Sequence, residues 1–141
     1  MLNQDFKEFV QSLYDSQARY LVVGGYAAIL YGYPRRPKNL DIWIEASAEN
    51  ARRMVEALEQ LGLESWGLTE VDFRHEDQII QATFSPTRRV IINVLNEIEF
   101  GACFERRTQK KIEDIIVDLI PLEYLRINKS NLWTVTGLGG A

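Results

Sequence analysis

The chain has 141 residues, 46% apolar and 26% charged, with a net charge of −4. That length suits one domain spanning residues 1–141 and allows a self-sufficient core. The composition excludes a disordered polymer, and the acidic balance argues against general nucleic-acid binding. No apolar run approaches the roughly 20 residues that cross a bilayer, so no membrane association is expected. The opening residues lack a basic segment followed by an apolar one, so no secretory leader is expected and a cytoplasmic location is the simplest expectation. One cysteine, Cys103, excludes an internal disulfide framework and a cysteine zinc cage.

Residues 2–16 place Leu2, Phe6, Phe9, Val10, Leu13 and Tyr14 at helical spacing, predicting an amphipathic helix. Tyr20–Val23 is β-rich and ends at Gly24-Gly25, after which residues 26–31 read as a helix stopping near Gly32. Prolines at 34 and 37 bracket a loop. Leu40–Glu45 is a strand, and Ser47 caps a helix carrying Ala51, Met54, Val55, Leu58 and Leu61 on one face. Residues 64–77 read as a loop with a short helix after Thr69. Gln78–Phe84 and Arg89–Leu95 are strands joined by the turn Ser85–Arg88. A helix over Gly101–Thr108, one strand over Ile112–Ile120, and a helix from Pro121 to Asn128 complete the pattern, with residues 131–141 expected to be poorly ordered. The order predicts an α/β or α+β domain with one mixed sheet and helices mainly on one face.

The stretch from Val23 to Glu45 carries the chemistry. Gly24 and Gly25 sit between a strand and a helix, where backbone amides can approach an anion such as a phosphate. Thirteen residues then separate Gly25 from Asn39-Leu40-Asp41-Ile42. Strand alternation puts Asn39, Asp41, Trp43 and Glu45 on one face and Leu40, Ile42 and Ile44 on the other.

This arrangement resembles the polymerase-β-like nucleotidyltransferase superfamily, especially its small single-domain members. Their pattern is hydrophobic-Gly-[Gly/Ser], a spacer of this length, then Asp-hydrophobic-[Asp/Glu]-hydrophobic. The R-x-T-x-D-x-D of small members aligns with Arg35 to Asp41. Val90–Leu95 matches their second acidic strand, residues 101–104 their G-x-x-F, and residues 125–129 their L-x-x-N-K, so the similarity covers roughly residues 18–130. The resemblance implies transfer of a nucleoside monophosphate from an NTP to a hydroxyl acceptor. It implies Mg²⁺ or Mn²⁺ held by carboxylates, because these hard cations take oxygen ligands. It assigns Asn39, Asp41 and Asn93 to the three catalytic positions, Asp41 to the metal, and Gly24, Gly25, Arg35 and Arg36 to the nucleotide phosphates.

The chain departs from the pattern where the chemistry is most demanding. Asparagine stands at two of the three acidic positions, Asn39 and Asn93, and Pro37 replaces the threonine. Asparagine offers one carbonyl oxygen but no charge and no base. Glu45, four residues beyond Asp41, lies about 13 Å along the strand and cannot chelate the same ion; Glu70 and Asp72 are the remaining acids considered as substitutes. The expectation is a catalytically degenerate or weakly active nucleotidyltransferase-fold protein. The alternatives are an active Mg²⁺-dependent enzyme acting on a protein or small molecule, and an antitoxin-like protein binding a helical toxin-like partner. For the last, Tyr26, Tyr31, Tyr33 and Trp133 supply a contact surface; a homo-oligomer is the other association expected. Arg88, Arg89 and the run Arg106, Arg107, Lys110, Lys111 read as solvated charge, and Cys103 as a small core residue.

Overall fold

The computed structural model describes residues 2–125. The elements are α1 (Gln4–Asp15), β1 (Tyr20–Val23), α2 (Gly24–Leu30), β2 (Asn39–Glu45), α3 (Ala48–Gln60), a 3-10 turn (Glu64–Trp66), α4 (Glu70–Arg74), β3 (Ile79–Ser85), β4 (Arg88–Leu95), α5 (Glu97–Glu105), β5 (Thr108–Ile112) and β6 (Ile115–Leu119). A further helical stretch occupies 122–125.

Local chemistry sets the boundaries. Asn3 accepts the Phe6 N–H at 2.9 Å to cap α1, and Phe6, Phe9, Val10 and Leu13 bury the face that their spacing predicts. Ser47 caps α3 by accepting the Asn50 N–H. Thr69 and Asp72 form a reciprocal capping box that starts α4, as the sequence suggests, and Phe73 anchors that short helix in the core.

The sheet has six strands in the order β3-β4-β2-β1-β6-β5. β2 pairs parallel with β4 and β1 parallel with β6, while β1–β2, β3–β4 and β5–β6 run antiparallel. The mixed sheet with packed helices is the expected fold class. Its core runs from Phe6, Phe9 and Leu13 of α1 through Leu40, Ile42 and Ile44 of β2 to Met54 of α3 and Val117 and Leu119 of β6. Phe84 joins Phe9 and Trp66 in an aromatic cluster with edge-on contacts at 6.1 and 5.1 Å.

Three expectations are corrected. The helix expected from residue 26 begins at Gly24, so both glycines lie in its first turn. The helix expected at Gly101–Thr108 starts at Glu97, where Asn96 accepts the Glu99 N–H at 2.8 Å and supplies the cap. The single strand expected over Ile112–Ile120 is the second arm of a hairpin: Glu113 adopts a positive φ of 56°, and Ile112 pairs with Ile115 across a two-residue turn. Lys110 and Lys111 therefore lie on an edge strand, and Lys110 Nζ donates to the Leu30 carbonyl at the end of α2. The helix expected to reach Asn128 and the tail 131–141 extend outside the described residues.

Candidate functional site

Parallel pairing of β2 with β4 decides which side chains share a face. Asn39 is in register with Arg89, Asp41 with Ile91 and Trp43 with Asn93. In-register residues of adjacent strands point the same way, so Asn93 joins the face that alternation along β2 gives to Asn39 and Asp41. Asp41 and Asn93 sit two residues out of register, which puts their Cα atoms on the order of 8 Å apart. Asp41 also pairs with Val23, the last residue of β1, so its side chain lies beside the turn into α2.

The face is not the open polar surface that a D-x-D strand suggests. Asp41 is 4% exposed, Asn93 8% and Trp43 9%. Gly24, at φ +67°, packs directly on Asp41: a β-carbon built there would lie 2.7 Å from Oδ2. A β-carbon on Gly25 would lie 2.7 Å from Cβ of Pro37. The 34–38 loop thus folds back onto the start of α2 through Pro37, with Arg35 and Arg36 on its exposed side. The glycine pair makes room for Asp41 and Pro37, and the structure brings Gly24, Gly25, Asp41 and the arginine loop together at one end of β1 and β2.

Electrostatics follow from the burial. Desolvation raises the Asp41 carboxyl from its ordinary 3.8 to about 7. Its Oδ1 and the Asn93 Nδ2 are buried with no hydrogen-bond partner among the described residues. Each unpaired buried group costs about 1–3 kcal/mol.

The donor set does not fit the magnesium that the resemblance implies. Among the described residues no three His, Cys, Asp or Glu side chains converge. Asp41 is the lone acid of the three positions, it sits where ionisation is opposed, and Gly24 is pressed against one of its oxygens. The other two positions are neutral carboxamides. Nor does a substitute acid arrive. Glu45 is held by Arg19 at 2.9 Å and by the Ser47 hydroxyl at 3.0 Å, and Asp72 accepts the Thr69 N–H as a helix cap. Glu70 lies in the first turn of the same helix, α4, which packs on α3.

Other side chains fall as follows. Tyr26 is buried against Phe6, edge-on at 5.5 Å, and the Tyr31 hydroxyl donates to the Ile120 carbonyl at 2.7 Å. Of the expected aromatic contact surface, Tyr33 is exposed at 39%, Tyr26 is interior, and Trp133 lies outside the described residues. Arg88 pairs with Asp5 at 3.1 Å. Arg106 pairs with Glu123 at 3.0 Å. Arg107 is not simple solvated charge: its guanidinium lies 3.9 Å from the centre of the Phe104 ring and its Nε 3.4 Å from Asp118. Two residues to which the sequence reading gave no part in the site complete the surroundings. Pro37 covers Gly25, and Arg89 stands beside Asn39 in the neighbouring strand. The parallel register that brings Arg89 there has no local sequence signal.

With this geometry in hand, comparison with known proteins gives one solved structure of note. The chain is similar to the crystal structure of a "putative nucleotidyltransferase" from Thermotoga maritima, with a TM-score of 0.58 and 14% identity, over 97% of this chain and 90% of that one. No family model and no curated protein matches the chain. The structural likeness establishes a nucleotidyltransferase-like fold. No helix among the described residues is long and apolar enough to cross a membrane.

Proposed function

We propose that the chain is a catalytically degenerate nucleotidyltransferase: a protein of that fold in which metal-dependent transfer of a nucleoside monophosphate has been lost and function rests on binding. One observation carries this reading. Asp41 is the sole acid among the three catalytic positions, and it is buried with Gly24 against its Oδ2 and no partner on Oδ1 among the described residues. Nucleotidyl transfer needs a cluster of negative charge to hold divalent cations against the phosphates. Here Asn39 and Asn93 supply none, and a carboxyl titrating near 7 supplies it incompletely at neutral pH. Two missing charges in a desolvated site weaken cation binding by several kcal/mol, and each 1.4 kcal/mol of lost transition-state stabilisation slows the reaction about tenfold.

The test is calorimetric titration of ATP and GTP with Mg²⁺ and with Mn²⁺, run on the wild type and on the Asn39→Asp/Asn93→Asp double variant, alongside an assay for nucleotide transfer. The expected result is neither metal-dependent binding nor transfer by the wild type, with metal-dependent binding appearing in the double variant. Transfer by the wild type that disappears in Asp41→Ala would establish an active enzyme instead.

A further inference from the structure

The two edges of the sheet differ in a way that bears on association. β5 forms one edge and carries Lys110 and Lys111, charged residues of the kind that blunt a free edge. β3 forms the other, and its seven residues, Ile79 to Ser85, include no charged residue and no proline. The hydrogen-bond phase of β3 is fixed by its partner. Val94 N–H donates to the Gln78 carbonyl at 2.9 Å, and Ile80 and Ala82 stand opposite Ile92 and Val90. Alternation along the strand then turns the N–H and C=O groups of Ile79, Gln81 and Thr83 away from β4. They have no backbone partner among the described residues. The side chains of these three residues are also exposed, Ile79 at 53%.

The ends of this edge are oppositely charged. Glu76 and Asp77 precede β3, and Arg89 follows it at the start of β4, where the neighbouring Arg88 is already paired with Asp5. Arg89 is exposed and has no ion-pair partner among the described residues. When a strand of this kind meets a second copy of itself antiparallel, the acidic end of one faces the basic end of the other. A parallel encounter would oppose like charges. The outward triplet is centred on Gln81, so an antiparallel meeting pairs Gln81 with Gln81 and Ile79 with Thr83, exchanging all the outward backbone bonds under one two-fold axis.

We propose that β3 is a self-association edge: two copies of the chain pair antiparallel through β3 about Gln81, joining their six-stranded sheets into one continuous sheet. Such an interface is small, so the dimer is weak and concentration-dependent. The proposal stands apart from the catalytic reading, since β3 contributes none of the three catalytic positions.

Sedimentation velocity of the full chain from micromolar to millimolar concentration is the direct measurement. The expected result is a monomer–dimer equilibrium in the wild type. Gln81→Lys, which sets like charges on the axis while leaving the backbone intact, should weaken it at least tenfold with unchanged circular dichroism. Gln81→Cys tests the register independently. Cross-strand partners about 5.5 Å apart fall within disulfide reach, so mild oxidation of that variant should trap a covalent dimer. The wild type, whose Cys103 is buried, should yield none. A wild type that stays monomeric throughout the range overturns the proposal. So does a dimer that Gln81→Lys leaves untouched and that oxidation of the Gln81→Cys variant fails to trap.

Discussion

Gly24 and Asp41 are packed so closely that a single methyl group between them would lie 2.7 Å from the carboxylate oxygen Oδ2. Gly24 also holds φ at +67°, a region that costs an L-residue roughly 1–2 kcal/mol. Gly62 has nearly the same backbone, φ +68°, but nothing within 4 Å of a built β-carbon. Gly62→Ala should therefore cost about 1 kcal/mol and Gly24→Ala about 3 kcal/mol or more, the difference being the collision with Asp41. Urea denaturation of both variants measures it; equal losses would show that the Asp41 contact yields freely.

Asp41 should give the fold a pH dependence opposite to that of an ion-paired carboxylate. Unfolded, it ionises near 3.8; folded, near 7. Between those values the native state keeps a proton that the unfolded chain has released. Its contribution is therefore fully present at low pH, falls as pH rises through 7, and then levels off. At about 1.36 kcal/mol for each pH unit between the two values, the total comes to about 4 kcal/mol. Asp41→Asn, similar in shape and uncharged, should flatten this component and be the more stable chain at pH 8. Parallel stability curves for the two proteins between pH 4 and pH 8 would refute the assignment.

Asn50 is a structural knot. It is 1% exposed, its Oδ1 accepts the Arg19 N–H at 2.6 Å, and its Nδ2 donates to the carbonyls of Arg19 at 3.1 Å and Glu45 at 3.0 Å. It therefore ties the entry of β1 and the exit of β2 to the first turn of α3. Asn50→Ala leaves the N–H and the carbonyl of Arg19 unpaired, while the Glu45 carbonyl keeps the Ser47 N–H at 3.2 Å, and should cost about 3 kcal/mol in chemical denaturation. A loss below half that would mean that water takes over these bonds.

Cys103 lies on the buried side of α5, where burial first and Glu99 second push its thiol above the ordinary range. Native alkylation should be slow and become fast in denaturant. Rapid labelling of the folded chain at neutral pH would show that α5 opens readily.

Much of the architecture is written in local patterns. Phe6, Phe9, Val10 and Leu13 announce α1, and Ser47 with Ala51, Met54 and Leu58 announces α3, because capping and a 3.6-residue period act within one element. The hairpin at Glu113 is hidden for the opposite reason. Its turn uses Glu-Asp in place of the glycine or asparagine that usually accepts positive φ, and Lys110 and Lys111 interrupt the apolar alternation. The start of α5 does carry a signal, Asn96 followed three residues later by Glu99, but it runs straight out of β4 and reads as the end of that strand.

The candidate site divides in the same way. Asn93 joins the site face only through the parallel register of β2 with β4, but the common face of Asn39 and Asp41 follows from alternation along one strand. The burial of Asp41 does not, because it depends on Gly24, and the Gly25–Pro37 contact beside it likewise joins separate elements. Glu45 shows the converse: its face is predictable from the strand, but its engagement by Arg19 depends on which strand lies alongside.

The central strand β1 is flanked on one side by β2, which follows shortly after it, and on the other by β6, where Val22 pairs with Leu119. A ribosome making this chain delivers β1 early and β6 only after every other strand of the sheet. Until then the most buried strand has one open side, and the nascent protein must carry that sticky edge through most of its synthesis. Co-translational folding of this domain is therefore a late event, and the growing chain is most exposed to misassociation just before its last hairpin emerges.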